Sequence, residues 1–301
     1  KMADQASDSD EEGGLFCGLF VDEDYAEEKY EFIDSESNVV CLSALCSKAA
    51  STDFDLTGQV IWPVSIFLSW FVARNAHIFR DKTIIELGAG CGLPGLVAAK
   101  LGAKASVLTD GSEVVMRLLE RQKQHFEEQE FVNAGEVLFE QVEWGKKTPL
   151  EHLLTETLTK QPAPSIIIGA DVVCWPQCVI PLLETVKSLF LSLEDPFEGV
   201  FYIGYVCRAS NTGDFFYRSA RDMGFLHETI NANTFLPLDK NVDSLDTSLS
   251  QMSHQVGWPK NIASEYDLEI LKVTLNRDNK ELAMTPPEFL PPTHASQDFP
   301  F

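Results

Sequence analysis

Residues 84–95 read IIELGAGCGLPG, an apolar run that leads into a glycine-rich turn. The run has the length of a short buried strand, and the apolar stretch after Gly92 predicts a helix. A strand, a glycine turn and a helix together bring backbone N–H groups and a helix N-terminus against a ligand. Such turns commonly bind phosphate, which the carboxylate of Glu86 would repel. The stretch therefore predicts a ligand site, and Glu86 bears on the choice of ligand.

Strands and helices alternate from residue 83 onward, and such an alternation predicts a parallel sheet with helices on both faces. Ser112 is a plausible N-cap of the second helix. The last strand follows a loop rather than a helix, so we expect it to insert antiparallel. The predicted fold class is α/β, a Rossmann-like, doubly wound, mostly parallel seven-stranded sheet with an antiparallel last strand. The predicted strands are 83–87, 105–110, 137–144, 165–173, 199–208, 226–231 and 266–277.

The chain of 301 residues divides into four predicted regions. Residues 1–14 are acidic and are expected to form a disordered tail. Residues 15–57 carry short apolar stretches without a clear period and predict a β-rich N-terminal extension. Residues 58–278 hold the alternating pattern of one domain, and residues 279–301 are expected to form a Pro-rich tail.

Charge and cysteine content limit the possible partners. A formal net charge of −23 argues against a nucleic-acid partner, which needs a basic surface, and favours a cationic one. No apolar run approaches the roughly 20 residues that span a bilayer, so we expect no membrane contact. The seven cysteines contain no CxxC pair, which predicts reduced thiols and no metal site.

Two ligands fit the glycine turn. Gly90, Gly92 and Gly95 satisfy GxGxxG, and Asp110 lies at a suitable distance to bind the ribose of a dinucleotide. S-adenosylmethionine instead carries a cationic ammonium and sulfonium and no phosphate, so Glu86 could interact favourably with its amino-acid part. Asp110 would then accept hydrogen bonds from its ribose. Glu86 therefore favours S-adenosylmethionine as the cofactor.

Four motifs in a fixed order add a resemblance. IIELGAGCGLPG is followed by LTDGSE, VEWG and GADVVCW, and GQVIWP precedes them. Over residues 58–225 the chain resembles the seven-β-strand S-adenosylmethionine-dependent methyltransferases, in particular their protein-lysine group. The combination is far more specific than any one motif.

The resemblance implies a role for most residues of the cofactor site. The glycine turn would lie under the amino-acid end of the cofactor, Asp110 would bind the ribose, and one tryptophan would pack near the adenine. The residues it implies are Trp62, Gly88, Ala89, Gly90, Asp110, Trp144 and Ala170.

The acceptor motif departs from the group's pattern. The group typically has Asp-x-x-Tyr at the end of its fourth strand, where this chain has Asp171 and Cys174, followed by Trp175. Asp171 would orient an acceptor amine. Either Trp175 supplies the aromatic wall beside it, or the acceptor is not a lysine.

These features predict a methyltransferase that acts on a lysine on a basic protein surface, as a monomer in the cytoplasm, with the nucleus as a second compartment. A small-molecule methyltransferase would share every cofactor motif. A non-catalytic scaffold that keeps the fold is a further alternative, because Cys174 replaces the usual aromatic residue. A nicotinamide-dependent oxidoreductase would share the glycine turn alone.

Overall fold

A computed structural model describes residues 25–47, 57–236 and 267–289. Within these ranges, nine strands, named β1 to β9 in chain order, form a two-stranded and a seven-stranded sheet. The strands of the larger sheet are β3 (Thr83–Leu87), β4 (Ala105–Asp110), β5 (Glu136–Gln141), β6 (Ile166–Ala170), β7 (Val200–Val206), β8 (Phe225–Ile230) and β9 (Leu268–Leu275).

The larger sheet has the order β5-β4-β3-β6-β7-β9-β8. The pairs from β5 to β7 are all parallel, whereas β9 lies antiparallel between β7 and β8. The predicted fold class is thereby confirmed, including the antiparallel last strand. The chain runs outward from β3 to β5 and then returns to β6 beside β3, so the strand order reverses there. In sheets of this kind ligands bind outside the carboxyl ends of the strands at that reversal.

Helices cover both faces of the sheet. α1 begins with Pro63, whose fixed φ suits the first helical turn. One apolar core lies under α1, α3 and α4, and a second lies under α6 and α7. The helices are α1 (Pro63–Arg74), α2 (Ala76–Phe79), α3 (Leu93–Lys100), α4 (Glu113–Glu128), α5 (Lys147–His152), α6 (Pro176–Leu191), α7 (Ser210–Asp222) and α8 (Lys280–Met284).

Alternation along β3 determines which core each side chain enters. Ile85 and Leu87 belong to the core under α6 and α7, whereas Ile84 belongs to the core under α1 and α3. Because successive strand residues point to opposite faces, Glu86 points to the same face as Ile84. It is 1% exposed, so the sheet buries an acid beneath the glycine turn.

The N-terminal extension is a hairpin of β1 (Tyr25–Ile33) and β2 (Val39–Ser47). Side chains of α4 and of its C-cap residue bind the backbone of β2: Gln122 Oε1 accepts from Leu45 N at 2.7 Å, and Gln129 Oε1 accepts from Ser43 N at 2.8 Å. The hairpin therefore packs on the same domain, as a β-rich extension of it.

At the C-terminal end, residues beyond 278, the predicted end of the domain, pack against the sheet domain. Ala283 of α8 is buried, and a Cβ on Gly224 would lie 2.7 Å from its Cα. The buried Lys187 of α6 donates to Leu282 O at 2.9 Å. Residues 280–284 thus belong to the domain rather than to a tail. The acidic segment 1–14 and residues 290–301 lie outside the described residues.

Two local features differ from the sequence expectations. Ser112 does lie at the N-cap of α4, but its side chain makes no capping bond; its backbone N–H instead donates to Asp110 Oδ1 at 3.0 Å. A helical stretch, α5 with a π-helical turn at Leu153–Thr157, was not predicted. Within the described ranges, no helix has both the length and the apolar character to cross a bilayer.

Candidate functional site

A cavity of about 1030 Å³ opens at the carboxyl ends of β3, β4 and β6. Its size is at the upper end of the roughly 300–1,000 Å³ typical of ligand sites. All residues predicted for the cofactor and acceptor sites line it, with the exception of Glu86. They are Trp62, Gly88, Ala89, Gly90, Asp110, Trp144, Ala170, Asp171, Cys174 and Trp175. The part that each plays in binding or catalysis stays a prediction.

The glycine turn forms a backbone cradle at the end of β3. Gly88 and Gly90 have φ of +61° and +52°, backbone angles that residues with a Cβ rarely adopt. A Cβ on Gly90 would lie 2.7 Å from the carbonyl oxygen of Gly58, so the segment before α1 approaches the turn closely. Ala89 N donates to Thr109 O at 2.9 Å, which holds the turn against β4.

Asp110 ends β4 beside this cradle. Its Oδ2 accepts from Gly90 N at 3.2 Å and its Oδ1 accepts from Ser112 N at 3.0 Å. Burial raises the pKa of Asp110, and the backbone N–H groups of Ser112, Gly90 and Gly111 oppose that rise. Each carboxylate oxygen keeps a lone pair, so Asp110 can accept further hydrogen bonds from ligand hydroxyls.

Glu86 lies below the turn rather than in the cavity wall, and its predicted contact with the cofactor stays a prediction. Its Oε2 accepts from Gly95 N of α3 at 2.9 Å. Burial raises the pKa of Glu86 to about 8; the Gly95 hydrogen bond lowers it, and Asp110 raises it further. At pH 7 the group is therefore mostly neutral, and it does not repel phosphate as a charged carboxylate would. Its position on the buried face of β3 keeps it out of the cavity wall.

Three tryptophans line the cavity: Trp62 and Trp144, and Trp175 at the N-cap of α6. Trp62 Nε1 donates to Thr57 O at 3.0 Å, which fixes the indole beside the segment before α1. The ring of Trp144 packs against the glycine turn, since a Cβ on Gly88 would lie 2.9 Å from its Cζ2. Both of these rings line the cavity, and their predicted contacts with the cofactor stay predictions.

Asp171 follows β6 and is held in place from two sides. Its backbone has φ of +58°, a left-handed conformation that Asp tolerates better than most residues, and its N–H donates to Gly204 O at 2.9 Å. The guanidinium of Arg208 donates to both carboxylate oxygens: Nε to Oδ1 at 2.9 Å and Nη2 to Oδ2. Hydrogen bonding to Asp171 raises the pKa of Arg208.

Arg208 is the site residue that sequence reasoning missed. It follows β7, the strand next to β6, and lines the same cavity. Its guanidinium carbon lies 5.2 Å from the ring centroid of Trp62. The signal that could have found it is positional, because a cation just after β7 lies at the same sheet edge as a carboxylate just after β6.

The start of α6 completes the wall. Trp175 occupies the N-cap position of the helix and is 43% exposed, whereas Cys174 and Cys178 are half-buried. Burial, with a smaller contribution from the Asp171 carboxylate, raises the pKa of Cys174 to about 12, so the thiol stays protonated at neutral pH. Cys174 is thus an uncharged wall residue here.

Comparison with known proteins agrees with this geometry. Residues 49–221 match the lysine methyltransferase family. The chain belongs to this family. The family's cofactor is S-adenosylmethionine, and the predicted resemblance is confirmed.

Two relatives show how far the likeness extends. The chain is 29% identical over 154 residues to a protein of Xenopus laevis named histone-arginine methyltransferase METTL23, covering 51% of this chain and 59% of that one. It is 26% identical over 198 residues to the mouse protein-lysine N-methyltransferase EEF2KMT, covering 63% of this chain and 56% of that one. The chain therefore spans little more than half the length of these relatives.

Solved structures are more distant. A S-adenosylmethionine-dependent methyltransferase from Thiobacillus denitrificans, in complex with S-adenosyl-L-homocysteine, aligns over 70% of this chain and 91% of its own with 14% identity and a TM-score of 0.39. The fold assignment accordingly rests on the strand order of this chain and on the family match.

The residues of the cavity fit S-adenosylmethionine. The backbone cradle at Gly90 admits close approach of a ligand, and Asp110 presents free lone pairs to a pair of hydroxyls. Carboxylates outnumber cations among the charged groups that line the described cavity. The carboxylates are Asp110, Glu113, Glu143 and Asp171, and the cation is Arg208. This excess of negative charge complements an ammonium and a sulfonium.

Proposed function

We propose that the protein transfers a methyl group from S-adenosylmethionine to the side-chain nitrogen of a lysine in a protein substrate. One observation carries this proposal: Asp110 at the end of β4 and Asp171 just after β6 line one cavity on either side of β3. The first carboxylate suits a ribose and the second suits an acceptor amine. The family match and the lysine-directed relative support the same assignment.

The chain's task on the cofactor side is to bind and orient. The cradle at Gly88 and Gly90 receives the amino-acid end, Asp110 accepts from the ribose hydroxyls, and Trp144 packs beside the adenine. When bound, S-adenosylmethionine supplies a methyl group activated by its sulfonium. These contacts fix the direction from which a nucleophile must approach.

On the acceptor side the chain must hold a neutral amine. A lysine is mostly protonated at pH 7 and must lose that proton to solvent before its lone pair can react. Asp171 would accept a hydrogen bond from the amine and orient its nitrogen toward the methyl group of a bound cofactor. The amine would then take the methyl group, and the bonding pair of the broken C–S bond would stay on sulfur. Trp175 walls the slot with an aromatic face that tolerates the methylated ammonium.

The negative charge of the chain also indicates the kind of substrate. A chain with a formal net charge of −23 and carboxylates around the cavity suits a basic protein surface better than a nucleic acid. We propose that the protein works as a monomer in the cytoplasm or the nucleus. The six cysteines among the described residues are all free thiols, which is consistent with a reducing compartment.

Arginine is the second candidate acceptor. The pocket already holds a guanidinium, that of Arg208, between Asp171 and the Trp62 ring. A relative of the chain is named a histone-arginine methyltransferase. Both observations favour a slot that can receive a guanidinium as well as an amine.

The test is transfer of tritium from labelled S-adenosylmethionine to a cell extract by the purified protein. Wild type should label one or a few protein bands, and Asp171→Ala should label none. The matched control is calorimetry with S-adenosylhomocysteine, which Asp171→Ala should bind within about threefold of wild type because the lost contact belongs to the acceptor. Label confined to small molecules would contradict a protein substrate, and absence of cofactor binding would contradict the whole proposal.

A further inference from the structure

The pair of Asp171 and Arg208 crosses the acceptor half of the cavity. Both carboxylate oxygens accept from one guanidinium, a fork that matches carboxylate geometry and is stronger than a single ion pair. The Asp171 side chain is 12% exposed and that of Arg208 is 42% exposed. The pair is thus shielded on the carboxylate side and open to the cavity on the guanidinium side.

The pair changes what an incoming acceptor meets. A bare carboxylate beside a lysine favours the ammonium form and raises the pKa of that lysine. The ammonium has no lone pair and cannot attack a methyl group. A carboxylate already paired with a guanidinium keeps lone pairs for an N–H donor but adds almost no net charge to the slot.

We infer that Arg208 is a positioning residue that cancels the charge of Asp171, so that the acceptor slot orients a neutral amine without holding it as an ammonium. The inference rests on the proposed function and extends it to the charge state that the slot selects. Two contacts fix Arg208 for this role: the fork to Asp171 and the face of Trp62, 5.2 Å from the guanidinium carbon. Among the cations of the described chain, only Arg208 lines this cavity.

Removing the positive charge of Arg208 should increase the affinity of the acceptor slot for a cation. The probe is n-butylammonium chloride, which has the length and charge of a lysine side chain. Binding at pH 7 is read from the indole N–H resonance of Trp175 in ¹⁵N-labelled protein, with Trp175→Phe to assign it. Arg208→Gln should bind the probe about fivefold or more tightly than wild type, the effect of one uncompensated charge about 4 Å away even at the dielectric constant of water.

Three controls separate charge from structure. Arg208→Lys keeps the positive charge and should bind the probe as weakly as wild type. The double variant Arg208→Gln with Asp171→Asn removes both charges and should also return to wild-type affinity. Asp171→Asn alone leaves Arg208 uncompensated and should bind more weakly than wild type. A merely structural Arg208 would give loss or no change in Arg208→Gln, never a gain.

The outcomes discriminate between this inference and the proposed function. Probe affinity in Arg208→Gln that equals or falls below wild type overturns charge cancellation, even if the enzyme methylates lysine. A fivefold gain supports it, with or without S-adenosylhomocysteine present. Should Arg208→Gln fail to fold, Asp171→Asn still decides, with Arg208→Lys as its control. If Asp171→Asn binds the probe as tightly as wild type and Arg208→Lys do, the inference is overturned. Failure of S-adenosylhomocysteine to bind wild type contradicts the proposed function and leaves the probe comparison intact.

Discussion

Replacing Glu86 by Gln gives a stability change whose pH dependence follows from burial. Burial raises the pKa of Glu86 from its ordinary 4.5 to about 8. Between those values the folded protein keeps a proton that the unfolded chain has lost, so wild-type stability falls as pH rises through this window. The slope is at most about 1.4 kcal/mol per pH unit, or about 4 kcal/mol from pH 5 to pH 8.

Gln is uncharged at every pH, and its Oε1 can still accept from Gly95 N. We therefore expect Glu86→Gln and wild type to differ little at pH 5. The variant should become more stable than wild type by up to about 4 kcal/mol at pH 8. Urea unfolding of both proteins at pH 5, 6, 7 and 8 measures the difference in their free energies of unfolding. The contributions of the other titrating groups cancel in this difference because both proteins share them.

Glu120→Gln is the matched control, because Glu120 is a solvent-exposed glutamate of α4. Its difference from wild type should stay flat from pH 5 to pH 8. A flat difference for Glu86→Gln as well, or a variant that loses stability relative to wild type as pH rises, would contradict a raised pKa of Glu86. Either result would mean that Glu86 is charged in the folded protein at neutral pH.

Four further substitutions test the two halves of the cavity. Asp110→Ala should weaken S-adenosylhomocysteine binding by about 1–3 kcal/mol in calorimetry through unpaired ribose hydroxyls, and unchanged affinity would exclude the ribose contact. Gly90→Ala should abolish that binding, because the new Cβ would meet Gly58 O at 2.7 Å; a variant that binds normally contradicts the cradle. Trp175→Ala should slow transfer of tritium strongly, and a wild-type rate would show that Trp175 does not form an aromatic wall for the acceptor. Cys174→Tyr restores the group's usual residue and should match or exceed wild-type transfer; complete loss would argue that the acceptor slot differs from that of the group.

The sheet was predictable because its signals are local. Each strand is a short apolar run, each intervening helix has its own period, and the loop predicted before the last strand indicated that this strand is antiparallel. The hairpin of β1 and β2 was predicted only as a β-rich region, since its pairing depends on contacts with α4. The stretch from Lys147 to Thr157 carries no strong period, so its helix depends on packing that the sequence does not display.

The site was predictable to the extent that it lies at strand ends. Asp110 and Asp171 meet in one cavity because the carboxyl ends of parallel strands share an edge. The burial of Glu86 was not predicted, because its orientation depends on which face of β3 it occupies, and α3 covers that face. Arg208 was missed because its contact with Asp171 spans 37 residues and depends on β7 lying next to β6.

Mass spectrometry of the methylated residue tests the central claim most directly. The purified protein, S-adenosylmethionine with a deuterated methyl group and a cell extract are incubated together, and labelled peptides are compared with those from Asp171→Ala. Deuterated methyl groups on lysine Nζ, present with wild type and absent with the variant, are the predicted result. Labelled arginine would move the assignment to the second candidate. Label that is equal with both proteins, or that is found on neither residue type, would contradict the account.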